Sequence, residues 1–166
     1  MQSGQYKQRL AVLAAAASGA LLPLAFAPYD LTFIAFVSPV FLLLLLRQLP
    51  PIKAALLGYA FGLGYFGHGV YWVYFSIHHF GNAPLWLAVI IMLGMVAILA
   101  TYVALLAFVL NRFFIVNNGL RYLLAFPSLW LALEVLRGVL FTGFPWLSLG
   151  YSQVDTILST WAPLVG

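Results

Sequence analysis

Tyr122-Leu-Leu-Ala-Phe-Pro-Ser-Leu-Trp-Leu-Ala-Leu-Glu134-Val-Leu-Arg137-Gly-Val-Leu-Phe141 is an apolar run holding one carboxylate and one guanidinium. Its length matches a bilayer's hydrocarbon core, which about 20 helical residues cross. Glu134 and Arg137 stand three apart, a spacing that makes helical neighbours and predicts a pair on one face. The helical pattern then breaks. Thr142-Gly-Phe-Pro-Trp146 and Gly150-Tyr-Ser-Gln153 combine glycine, proline and large aromatics. Ionisable groups inside a span face the protein or a cavity and point to function. Irregular backbone at membrane depth must likewise be buried in protein or line a cavity.

Outward from this stretch the chain is uniformly apolar. Of 166 residues, 65% are hydrophobic and 6% charged, against about 25% charged in a soluble domain. Lipid is therefore the solvent, and the long apolar runs lack the alternation of barrel strands. The expected fold is all-α, a polytopic transmembrane bundle of about five to six spans, with no room for a soluble catalytic domain. Span one is expected over residues 10–26 and span two over 31–46, with a kink at Pro39 and a turn at Pro28 to Asp30 between them. Span three is expected over 54–77; Gly58 and Gly62 in its first half allow close helix packing. Span four covers 85–110 and span five 122–141. Lys7 and Arg9 before an apolar run imitate a secretory signal. Pro28 after the would-be cleavage site and the spans that follow predict a retained helix.

Charge sets orientation. Lys7, Arg9, Arg47, Lys53, Arg112 and Arg121 lie before span one or in the second and fourth loops, so six of the seven basic residues share one side. The positive-inside rule puts that side and the N-terminus in the cytoplasm. The net charge of +4 is thus a topology signal, not a nucleic-acid surface. The absence of cysteine excludes disulfides, thiolate metal sites and a cysteine nucleophile within these residues. No dinucleotide fingerprint, P-loop or metalloprotease motif is present.

Two readings stand for Glu134 and Arg137. One is a buried pair locking span five to its neighbours. The other is a contact from Arg137 to an anionic headgroup or carbonyl, with Glu134 holding it in place. The segment 142–153 is either an interfacial aromatic belt or a structured rim. In the rim, Phe144, Trp146 and Tyr151 would meet acyl chains and Ser152 and Gln153 would bond a headgroup. His68, His78 and His79 cluster around one helix, whereas a bis-histidine haem wants two facing helices; neither a metal nor a cofactor is expected. Glu134 has no second titratable partner for acid–base work.

Three stretches resemble one family. Leu24-Ala-Phe-Ala-Pro-Tyr-Asp30 is similar to the first outer turn of the bacterial apolipoprotein N-acyltransferases, and Gly64-Tyr-Phe-Gly-His-Gly-Val-Tyr-Trp-Val-Tyr-Phe-Ser-Ile77 to their third helix. Pro127-Ser-Leu-Trp130 with Glu134, Arg137-Gly138, Thr142 to Trp146 and Gly150 to Gln153 resembles their most recognisable segment. The resemblance implies a bacterial inner-membrane enzyme moving an acyl chain from a phospholipid to the N-terminal cysteine of a lipoprotein. It also implies a nitrilase-like outer domain with a Glu-Lys-Cys triad. No counterpart of that triad exists here, so residues 1–166 are expected to be the N-terminal transmembrane domain of a longer parent, inactive alone. Ala162 to Gly166 resembles mid-domain family sequence. The implied partners are membrane lipid, a phospholipid donor and a lipoprotein acceptor, with no nucleic acid and no metal. The alternative is a small non-enzymatic membrane carrier or assembly module.

Overall fold

A computed structural model describes residues 2–114, 116, 119–140 and 143–161, with side chains from Tyr6 onward. Every regular element among them is helical. Helix α1 runs Gln2–Leu21 and α2 Ile34–Leu45; α3 runs Pro51–Gly69 and α4 Val73–His79; α5 runs Leu85–Phe113 and α6 Phe126–Val139. A wide π-helical turn, Leu120–Ala125, leads into α6. Three helical stretches are long and apolar enough to cross a membrane: Tyr6–Ala25, Leu85–Phe113 and Leu120–Val139. The expected all-α membrane fold is therefore present, although among the described residues three stretches rather than five to six reach spanning length, with the apolar Ile34–Leu45 helix shorter. The ends of spans one, four and five move by a few residues, and Phe141 lies outside the described residues, as do Asn117, Asn118 and Ala162 to Gly166.

Helix α3 is the hub, packed between α1 and α5. Glycine makes this possible on both sides. A Cβ on Gly64 would stand 2.0 Å from the Ala16 carbonyl oxygen of α1, and one on Gly62 2.7 Å from the Ala100 Cα of α5. Gly58 likewise sits against Val103 and Ala107, so the Gly58–Gly62 pair is a helix-packing seam as its spacing predicts. Phe61, Tyr65 and Leu57 fill the space around it, all at most 2% exposed.

Two expectations change. Span three, expected unbroken over 54–77, is two helices separated at Val70 to Trp72. Gly67 and Gly69 weaken the helix there, and the space a Cβ on Gly69 would need belongs to Leu147, whose Cδ1 would lie 2.2 Å from it. Span two is shorter than expected, 12 residues of helix after an irregular turn, about 18 Å of rise. Pro39 sits inside it. Beside that proline Ser38 Oγ donates to the Ser18 carbonyl at 2.7 Å and fastens α2 to α1.

The loops gather at two ends. At one, Asn111 of α5 donates to the carbonyls of Leu46 and Leu49, at 2.8 and 2.9 Å. At the other, Gln153 Nε2 reaches the Thr32 carbonyl at 3.3 Å. Arg47, Lys53, Arg112 and Arg121, in or beside the segments joined there, therefore share an end, as their charge pattern anticipates.

Candidate functional site

Helix α6 ends at Val139, with Leu140 already extended. Gly143 takes φ +82, and its amide donates to the Leu140 carbonyl; Phe144 N–H closes onto the Arg137 carbonyl, both at 2.9 Å. A Cβ on Gly143 would meet the Gly138 oxygen at 2.0 Å, so both the dihedral and the space require glycine. The chain then turns back along the top of α6 and α3. Thr142 lies outside the described residues.

Three buried or half-buried side chains hold this returning segment. Arg137, 3% exposed, donates from Nη1 to the Trp146 carbonyl and from Nη2 to Ser148 Oγ at 3.2 Å. Its guanidinium also lies over the Phe66 ring, 5.3 Å from the centroid. Glu134 Oε1 accepts from the Leu149 amide and the Trp130 indole N–H, each at 2.9 Å. Tyr65 O–H donates to the Leu147 carbonyl. The carbonyls of two consecutive residues and an amide two positions on are thus fastened by Arg137, Tyr65 and Glu134. Leu147 sits between them in the left-handed region at φ 61, buried against Gly69. Such a backbone costs about 1–3 kcal/mol, and the surrounding bonds hold it there.

The direct pairing expected of Glu134 and Arg137 is corrected. Among the described residues no ion pair within 4.0 Å joins them. Both charges turn toward the same loop instead, because its backbone offers a carbonyl to the cation and an amide to the anion.

Outside the clasp the surface is aromatic. Trp146, 54% exposed, packs its ring against Trp72, with centroids 5.4 Å apart. Phe144 is half-buried, 6.5 Å from the Trp146 ring, with its body in the core. The structure thus brings Glu134, Arg137, Phe144 and Trp146 together. It does not bring in the other two candidates. Tyr151 is exposed, and no ring contact among the described residues joins it to this cluster. Gln153 donates to the Thr32 carbonyl and to Ser152 Oγ, at 3.3 and 2.9 Å, so it ties the loop to the turn before α2. Tyr65 and Leu147 escaped the sequence reading. The available signal was that a tyrosine hydroxyl in an apolar span must find an acceptor.

Chemically the arrangement holds and shapes the returning backbone. Ser148 Oγ donates to the Pro145 carbonyl and Ser152 Oγ to that of Leu149, at 2.9 and 2.7 Å, so both hydroxyls serve the turn. The histidines also have protein partners: His68 Nδ1 meets the Ala20 carbonyl at 2.6 Å, and His78 Nδ1 that of Ala83 at 2.7 Å.

The family model described as the apolipoprotein N-acyltransferase N-terminal domain matches residues 18–166. The apolipoprotein N-acyltransferase of Coxiella burnetii is 49% identical over 150 residues, 90% of this chain and 31% of the relative. That of Vibrio parahaemolyticus is 51% identical over 155 residues, 93% of this chain and 30% of the relative. The Vibrio cholerae enzyme is 47% identical over 154 residues, with the same coverage. The chain thus spans about a third of the length of the curated relatives it matches. By these matches the chain belongs to the apolipoprotein N-acyltransferase family, in the part that forms the N-terminal domain.

Proposed function

We propose that this chain is the membrane domain of an apolipoprotein N-acyltransferase. The parent transfers a phospholipid acyl chain to the N-terminal cysteine of a lipoprotein in the bacterial inner membrane. Residues 1–166 anchor the parent, with the N-terminus in the cytoplasm, and form part of the lipid path. The catalytic groups lie in the remainder of the parent, since this chain has no cysteine. The observation that carries the reading is the clasp. Arg137, Glu134 and Tyr65 fix a non-helical segment so that Trp146 and Trp72 form an exposed aromatic wall. A belt that merely marks the interface has no need of three buried anchors. A wall that acyl chains must pass in one orientation does, because misplacement by about 1 Å can cost a hundredfold in rate.

The test compares the purified 166-residue chain with the product of the complete reading frame, using a phospholipid donor and a diacylated lipopeptide acceptor. Transfer by the complete product and none by the short chain is the expected result. Turnover by the short chain would place the chemistry within these residues and overturn the assignment. A complete reading frame with no hydrolase domain would favour a non-enzymatic carrier.

A further inference from the structure

The other end of the bundle carries a second concavity. A cleft of about 620 Å³ opens between the α2–α3 loop and the end of α5, with Gln48, Pro51, Asn111, Arg112 and Arg121 among its walls. Its floor is built. Asn111 and Arg121 are 7% and 2% exposed. Arg121 Nη2 donates to Asn111 Oδ1 at 2.6 Å, its Nη1 donates to the Phe114 carbonyl, and Asn111 Nδ2 bridges the Leu46 and Leu49 carbonyls. This network seats a guanidinium at the base of the cleft. Arg112 supplies a second at its exposed lip.

Charge is one-sided here. Arg47 immediately precedes the cleft-lining residues Gln48 to Pro51, and Lys53 follows them in the first turn of α3. The chain's three acids, Asp30, Glu134 and Asp155, belong to the other half, where Glu134 bonds Leu149 and the loop after α6 reaches Thr32. The wall also includes Pro51, the first residue of α3, a 19-residue helix whose start has no side-chain cap. The positive end of its dipole adds to the arginines. Leu49, Pro50 and Pro51 make the remaining wall apolar. Exposed Arg112 can address phosphate oxygens through its fork of donors. Arg121, held beneath it by Asn111 and the Phe114 carbonyl, adds positive charge to the base. The apolar-walled cleft therefore suits a ligand with a phosphate and a greasy body. Basic pockets between membrane helices take lipid headgroups on this ground.

We propose that this cleft binds the headgroup phosphate of an anionic phospholipid, seating one lipid at the basic end of the bundle. The site is separate from the Trp72–Trp146 wall and does not depend on the acyl-transfer reading.

Native mass spectrometry of the detergent-purified chain tests this, with phosphatidylglycerol, phosphatidylcholine and inorganic phosphate as probes. Arg112→Gln removes the charge at the lip, where the side chain is exposed. Arg9→Gln makes the same charge change outside the cleft and serves as control. The expected result is one retained phosphatidylglycerol, held more tightly than phosphatidylcholine and not displaced by phosphate. Arg112→Gln should weaken it about fivefold, the worth of one basic residue toward an anionic lipid surface, and Arg9→Gln should leave it unchanged. Equal retention by Arg112→Gln and the unaltered chain would overturn the proposal. An equal loss in Arg9→Gln would reduce it to diffuse surface charge, and displacement by phosphate would make it a free-anion site.

Discussion

At the scale of single residues, the clasp predicts which chemical features matter at each position. Glu134 is used as a hydrogen-bond acceptor, so Glu134→Gln keeps the oxygen that Leu149 and Trp130 address and should cost under about 1 kcal/mol. Glu134→Ala strands a half-buried amide and indole and should cost about 1–3 kcal/mol. Thermal unfolding in detergent separates the two; equal losses would restore an ion pair with Arg137 as the operative contact. Arg137 reaches two acceptors on different residues, Trp146 and Ser148. A lysine offers no rigid fork, so Arg137→Lys should fall nearly as far as Arg137→Ala, by about 2–3 kcal/mol, the scale of a charge-assisted bond. Full stability in Arg137→Lys would show that charge alone suffices. The sequence marked Glu134 and Arg137 as special because charge inside an apolar run is rare. It could not say where they point, since their partners are backbone groups of 146–149, which have no signature in composition. Trp146 was legible as an aromatic at a break, but its half-exposure follows only from how Leu147 is turned inward.

At the scale of elements, the glycines of α3 decide the packing. Gly62→Ala and Gly64→Ala place a Cβ against backbone of α5 and α1, where the helices themselves must separate. Overpacking of this kind costs about 1–3 kcal/mol. Gly94 of α5 has nothing within 4 Å of an added Cβ. Gly94→Ala should therefore be neutral, or stabilising by up to about 1 kcal/mol through helix propensity. Midpoints of unfolding for the three variants check the contrast, and similar values for all would mean that α3 is not seated between α1 and α5. The GxxxG spacing was readable because glycine at helical intervals has one common use in membranes. The division of span three at Val70 was not. Hydrophobicity runs on unbroken through Val70, Tyr71 and Trp72, and the break reflects a contact with Leu147 from 78 positions along the chain. The short α2 was foreshadowed only by Pro39.

At the scale of the whole molecule, the segregation of basic residues to one end is visible in both the sequence and the fold, because every second crossing returns the chain to that end. Cysteines placed at Gln48, Asn82 and Val116 in this cysteine-free chain report its orientation. A membrane-impermeant thiol reagent applied from outside should label position 82 alone; labelling of 48 and 116 instead would invert the arrangement. The opposite end carries the clasp, which on the proposed reading presents an aromatic wall to acyl chains. Because Trp146 is half-exposed, cutting it to alanine removes wall without removing core, so folding and activity should separate. The most direct measurement is the acyl-transfer rate of the complete protein, divided by its membrane abundance, for Trp146→Ala. The account predicts near-normal abundance with a specific rate lowered toward a hundredfold, while Trp146→Phe retains most of the rate. A specific rate for Trp146→Ala equal to that of the unaltered protein would contradict it and leave the segment as anchor alone.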